Sequence, residues 1–136
     1  MSFTQYTQKK LLDHLHNVAS YTMPTTLTLA LFKTSPGEAG TAGTEVSVTV
    51  DDTAYVRQTI TFAATTLGTG ISLSSNAQTF AAVVYGSGAA AYTVSHIGIY
   101  DQLGNMLSYT ALGTSVSRLV GKTLVFDIGA ITITLD

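Results

Sequence analysis

The sequence predicts an all-β fold, a jelly-roll-like β-sandwich of about eight strands with one short N-terminal helix. From residue 24 onward, apolar and polar residues alternate in short segments, and turn signals rich in glycine separate these segments. Helical spacing of apolar residues occurs near the N-terminus. A chain of 136 residues is expected to form a single domain, with the helix at 7–19 and the sandwich at 24–136.

The helix is predicted over residues 7–19, "TQKKLLDHLHNVA". Leu11, Leu15 and Val18 recur at i, i+4 and i+7, and Leu12 widens this apolar stripe. Pro24 disfavours helical geometry in the residue before it, so the helix must end earlier. The stripe is expected to pack either on the protein's own sandwich or on a partner.

The strands are predicted from period-two alternation. In "TLTLALFKT", for example, Leu27, Leu29 and Leu31 share one face. In "AYTVSHIGIY", Ile97 and Ile99 are expected to face the core, opposite His96 and Val94. The predicted strand segments are residues 26–34, 45–50, 55–62, 78–85, 91–100, 106–112, 115–120, 122–128 and 130–136.

The longest break between these segments is residues 35–45, "SPGEAGTAGTE". Its residues are too small and too polar to build a core. It is therefore predicted to project as a loop with little internal packing, and to gain order in an assembly.

The composition excludes several classes of function. Charged residues make up 10% of the chain, the net charge is -2, and the six basic residues are dispersed, which argues against nucleic-acid binding. There is no cysteine for a disulfide or a thiolate metal site. No apolar run could span a membrane or serve as a secretion signal, so synthesis in the cytoplasm is expected.

The histidines do not form a catalytic or metal-binding pattern. His14 and His16 point to different sides of a helix, whereas helical zinc ligands lie four residues apart. His96 and Asp101 could suggest a histidine–carboxylate pair, but no serine with a nucleophile-elbow sequence accompanies them. Asp101 also begins a Gly-Asn turn, where short acceptors bind backbone amides. The hairpin interpretation is therefore preferred, and neither an enzyme nor a cofactor is expected.

Five segments in order resemble a family of small bacteriophage virion proteins, described as tail-fibre-like or minor tail proteins. The segments are "KKLLDHL", "TLTLALFKTSPGEAGTAGTEVS", "YVRQTITF", "SHIGIYDQLGNMLSYTAL" and "GKTLVFDIGAITITLD". The resemblance implies that Ile97, Ile99 and Leu107 are core strand positions and that residues 101–105 form a hairpin turn. It supplies no catalytic residue, so His96 is expected to be a structural or interface residue.

Within a virion, a compact chain lacks the long repetitive shaft of a true fibre. A capsid cement or decoration protein that stabilises the major capsid shell is therefore the first hypothesis. The alternative is a small tail, tail-fibre-like or baseplate component of the virion, a location from which it could contact the host receptor. The expected partners are further copies of the chain, most simply as a trimer, and the major capsid protein or tail proteins. The candidate contact residues are Leu11, Leu12, Leu15, Ser35, Pro36, Gly37, Glu38, Glu45 and His96.

Overall fold

The computed structural model describes residues 1–65, 68–88 and 91–134. This part of the chain contains one helix, α1 (Gln5–Leu15), and nine strands, so the predicted all-β fold with a short N-terminal helix is confirmed. The strands are β1 (Ser2–Phe3), β2 (Leu27–Phe32), β3 (Gln58–Ile60), β4 (Ile71–Leu73), β5 (Gln78–Phe80), β6 (Ala91–Asp101), β7 (Met106–Leu119), β8 (Leu124–Phe126) and β9 (Thr132–Thr134).

The strands form one large sheet and two small ones. The large sheet has the order β1-β7-β6-β2-β3, and its neighbouring strands are antiparallel. The small sheets are the antiparallel pairs β4–β9 and β5–β8. The long β6–β7 hairpin lies inside the large sheet and carries β1 on one side and β2 on the other.

The core lies between the large sheet and the two small sheets. Leu29 and Leu31 of β2 are fully buried, as are Ile97 and Ile99 of β6, and Phe80 of β5 packs in the same cluster. The two isoleucines are thus core residues, as expected from their alternation. Burying a side chain of this size contributes about 1.5–3 kcal/mol of hydrophobic free energy. The sandwich is therefore held together by strands that the β-pattern of the sequence identified.

Val94 lies on the core face, not on the face predicted for it. It is 0% exposed and clusters with Ile97, because the pairing of β6 with β7 shifts register between Val94 and His96. A β-bulge of this kind interrupts the alternation of side chains, so that residues before and after it no longer follow one alternating pattern. Leu107 also departs from its predicted role, since it is only half-buried and belongs to neither core cluster.

The helix begins earlier and ends earlier than the predicted 7–19. Thr4 caps it, with its Oγ1 accepting a hydrogen bond from the Thr7 N–H at 3.4 Å. Leu15 is its last residue. Asn17 has a φ of 57°, a left-handed conformation that ends helices, so Val18 lies outside α1.

Several strand predictions were also too long or misplaced. Residues 48–51 form a turn instead of a strand, and Val48 and Val50 are exposed. Strand β4 was not predicted, and the segments predicted at 106–112 and 115–120 are one continuous strand. The predicted strand at 130–136 includes residues outside the described part of the chain, and so do two of the glycine-rich turn signals between the predicted strands, 67–70 and 85–91.

Candidate functional site

Helix α1 is attached to the sheet by hydroxyl groups and not by its leucine stripe. Thr4 Oγ1 donates to the Met106 carbonyl at 2.6 Å, and Thr7 Oγ1 donates to the Leu107 carbonyl at 2.8 Å. Both threonines are buried. Among the predicted contact residues, Leu11 is half-buried, while the side chains of Leu12 and Leu15 are exposed by 54% and 75%. Most of the stripe therefore faces solvent in the single chain.

The loop at residues 35–45 does not project as predicted, because it folds back onto the body of the protein. Pro36 is fully buried, and the Pro36 carbonyl accepts a hydrogen bond from Ala42 N–H at 3.0 Å. The Glu38 carbonyl accepts one from Gln5 N–H at 2.9 Å. Gly37 and Gly40 have φ values of 68° and 72°, and these left-handed positions make the reversal possible. Ser35 and Glu38 remain exposed.

Glu45, at the end of this loop, binds two side chains of the segment that follows. Arg57 donates from Nε to Glu45 Oε1 at 2.8 Å and from Nη2 to Oε2 at 2.6 Å. Tyr55 donates its hydroxyl to the same Oε1 at 2.8 Å and accepts from the Leu31 N–H at 3.0 Å. A two-point contact of this kind fixes the direction of the guanidinium. Glu45, predicted as a contact residue, thus has internal partners.

The guanidinium of Arg57 also lies over an aromatic ring of the sheet. Its Cζ is 3.8 Å from the centre of the Tyr100 ring, a distance typical of a cation–π contact. Tyr100 in turn stacks with Phe32, with 6.4 Å between the ring centres. Both rings belong to a second apolar cluster with Met106, on the outer face of the large sheet.

The surroundings of Tyr55, Tyr100 and Arg57 keep these three side chains in their ordinary charge states at neutral pH. Burial raises the pKa of Tyr55 well above its usual value, and the negative charge of Glu45 raises it further. Burial also raises the pKa of Tyr100, although the neighbouring Arg57 acts in the opposite direction. The hydrogen bond to Glu45 raises the pKa of Arg57. The tyrosines therefore stay neutral, and Arg57 stays cationic.

Beside the cluster is a cleft of about 550 Å³, bounded by α1, the loop at 35–45, Arg57 and the turn between β6 and β7. Among the residues that line it, Glu45 and Arg57 supply the charges. Tyr6 separates it from a smaller cleft, where Lys10 Nζ lies 5.7 Å from the centre of the Tyr6 ring. The aromatic and glycine residues along its walls are Tyr6, Phe32, Tyr100, Gly40, Gly43 and Gly104.

His96 and Asp101 do not form a pair. They lie five residues apart on one strand, about 16 Å at the usual rise of a β-strand. His96 Nδ1 shares a hydrogen bond of 2.8 Å with Ser95 Oγ. Asp101 Oδ1 accepts from the N–H groups of Leu103 and Asn105, so the predicted role of residues 101–105 as a hairpin turn is confirmed. Within the described part of the chain, no three His, Asp or Glu side chains converge as a metal site.

A buried ion pair on the other face was not predicted. Arg118 and Asp52 are 2% and 1% exposed, with 3.9 Å between Nη2 and Oδ2. The Tyr92 hydroxyl bridges them, donating to Asp52 at 2.9 Å and accepting from Arg118 Nε at 3.3 Å. Arg118 also donates to the Ala81 carbonyl at 2.8 Å. The network joins the β6–β7 hairpin to two loops, which is a structural role.

These features define a small β-sandwich protein with a cleft on its outer face. A family model described as "Podophage GP4 fiber I protein gp80" matches residues 2–134. The chain therefore belongs to this family, and it is a structural protein of a phage virion. The resemblance to small phage virion proteins found in the sequence is thereby confirmed. No curated protein matches the chain.

Sequence reasoning missed most of the cleft. Tyr6, Arg57 and Tyr100 come from three distant parts of the chain, and no local pattern links them.

In the described part of the chain, no helix is long and apolar enough to cross a membrane.

Proposed function

We propose that this protein is a component of the tail-fibre apparatus of a podophage, the alternative considered from its sequence, and not a capsid cement protein. The observation that carries the proposal is the family match over residues 2–134, because the description of that family names a podophage fibre protein. The cement hypothesis rested on the compact size of the chain. A compact sandwich can serve equally as one module of a fibre built from several proteins.

We also propose that the chain assembles with further copies of itself, most simply as a trimer, and with tail proteins. Leu12 and Leu15 support this, since large apolar side chains this exposed are candidates for contact in an assembly. The low charge of the chain points the same way, because charge is what keeps soluble monomers apart. Leu12→Asp with Leu15→Asp should lower the mass measured by light scattering. The control is Thr79→Asp with Thr123→Asp, which adds the same two charges at exposed positions outside α1 and should leave the mass unchanged.

The location is tested by deleting the gene and imaging the purified particles by cryo-electron microscopy. The proposal predicts particles with intact heads that lack fibre density and adsorb poorly to cells. Heating the particles provides the comparison with the cement hypothesis. Heads that burst at a lower temperature, on particles with complete fibres, would contradict the fibre proposal and support cement, since a bound cement protein stabilises a shell by mass action.

A further inference from the structure

We propose that the cleft beside Arg57 and Tyr100 binds a neutral saccharide of one or two sugar rings. Sites for small ligands commonly enclose roughly 300–1,000 Å³, and the cleft measures about 550 Å³. The inference deepens the proposed fibre function and rests on it for the source of the sugar, which is the surface of the host cell.

The charge of the cleft favours an uncharged ligand. Its lining charges, Glu45 and Arg57, neutralise each other through two hydrogen bonds. A phosphate or carboxylate at Arg57 would lie beside the Glu45 carboxylate, and an ammonium group at Glu45 would lie beside the Arg57 guanidinium, so repulsion would offset the attraction in either case. A ligand without net charge meets neither obstacle.

The ion pair still offers hydrogen bonds to such a ligand. Arg57 has further N–H groups on Nη1, which bind no described residue, and its side chain is 34% exposed. The carboxylate of Glu45 retains acceptor capacity on Oε2, and its side chain is 25% exposed. A donor and an acceptor therefore lie side by side. Sugar hydroxyls, each of which donates and accepts, match this arrangement.

The apolar part of the cleft suits the C–H face of a sugar ring. Arg57 covers one face of Tyr100 and Phe32 is only 3% exposed, so the half-buried ring of Tyr6 is the more accessible aromatic surface for the ligand. Gly104 has a φ of 84°, and a Cβ there would meet nothing within 4 Å. The absence of a side chain at this position leaves room for a ligand to approach the backbone of the turn.

The site is also rigid before any ligand arrives. Arg57 is held by Glu45 and by the Tyr100 ring. Glu45 is held in turn by the Tyr55 hydroxyl, which accepts a hydrogen bond from the Leu31 N–H. A side chain that is already ordered loses little conformational entropy when it binds.

A peptide strand is a poorer occupant of the same cleft. One common way for an extended peptide to bind is to pair with the free edge of a sheet. The strands beneath the cleft, β2 and β6, are both paired with strands on either side in the large sheet. The cleft floor therefore offers no backbone edge for a peptide to join.

The test is a titration of the ¹⁵N-labelled chain with glucose, galactose, mannose, rhamnose and N-acetylglucosamine, each followed by amide chemical shifts. Sialic acid is the charged comparison. At least one neutral sugar should shift the signals of Gly40, Gly43 and Gly104, with a dissociation constant on the order of 1 mM. Ala39→Trp, which fills the cleft from an exposed position, and Tyr6→Ala should each weaken binding about tenfold or more. Ala77→Trp, at an exposed position outside the cleft, should leave it unchanged.

The proposal is overturned if no neutral sugar shifts these signals up to its solubility limit, or if the shifts persist in Ala39→Trp. It is also overturned if only sialic acid, or only a peptide from another virion protein, produces them. Failure here leaves the fibre proposal untouched, because the titration uses the isolated chain. Conversely, sugar binding by a chain that imaging locates in the head would contradict the fibre proposal alone.

Discussion

The guanidinium carbon of Arg57 lies 3.8 Å from the centre of the Tyr100 ring, while two of its nitrogens bind the carboxylate of Glu45. One side chain thus connects the end of the loop at 35–45 with the outer face of β6. Lysine keeps the charge of arginine but lacks the planar group that makes both contacts at once.

Arg57→Lys should therefore lower the free energy of unfolding by about 1 kcal/mol, since a charge-assisted hydrogen bond and a stacking contact are lost. Urea denaturation at neutral pH measures the change. Lys122→Arg, at an exposed position, is the control and should leave the stability as it is. Wild-type stability in Arg57→Lys would mean that the two-point geometry contributes nothing.

The raised pKa of Tyr55 predicts that the protein loses stability in alkali. Its pKa is raised in the folded protein by burial and by Glu45, so the unfolded chain releases this proton at a lower pH than the folded one. Stability is fully present below about pH 10, the pKa of an unfolded tyrosine, and falls as the pH rises above it, by about 1.4 kcal/mol per pH unit for each such proton. Tyr55→Phe should make this fall shallower. Equal slopes in urea denaturation series for the two proteins would contradict the assignment.

Ile99 and His96 on the same strand should respond very differently to truncation. Ile99→Ala removes methyl groups from the core and should cost about 2–5 kcal/mol. His96→Ala should cost far less, because His96 is only partly buried and its imidazole shares a hydrogen bond with the neighbouring Ser95. Thermal unfolding followed by circular dichroism measures both. The reverse order of effects would show that the two faces of β6 are misassigned.

The buried pair of Arg118 and Asp52 should be strongly coupled. Arg118→Met leaves a buried carboxylate without its cation and should cost about 3–5 kcal/mol. Adding Asp52→Asn removes that uncompensated charge, so the double variant should be less destabilised than the sum of the two single variants. Equilibrium unfolding of all four proteins tests this, and strictly additive effects would show that the ions do not interact.

The sequence predicted the parts of the fold that depend on regular alternation. Ile97 and Ile99 were assigned correctly to the core because no irregularity separates them. Val94, two residues before His96, was assigned to the wrong face, because the register shift depends on how β7 pairs and leaves no local signal. Parity arguments hold only up to the next bulge.

Side-chain hydrogen bonds explain another failed prediction. The valines at 46, 48 and 50 alternate like a strand, but Asp51 Oδ2 accepts from Ser47 N–H at 2.9 Å and Ser47 Oγ accepts from Val50 N–H at 3.2 Å. These local hydrogen bonds stabilise a turn, so the backbone does not pair with a neighbouring strand. Of the cleft only Glu45 was among the predicted contact residues, since Tyr6, Arg57 and Tyr100 meet only after the sheet has formed.

The long β6–β7 hairpin has a consequence for the order in which the chain folds. Its two strands are joined by one short turn, so they meet at a small cost in loop-closure entropy. The β4–β9 and β5–β8 pairs join segments that are far apart in the chain, and such contacts form slowly. We expect the hairpin to form before the small sheets close over it. Ile99→Val should then slow refolding, whereas Ile133→Val in β9 should mainly accelerate unfolding, in stopped-flow experiments that follow tyrosine fluorescence.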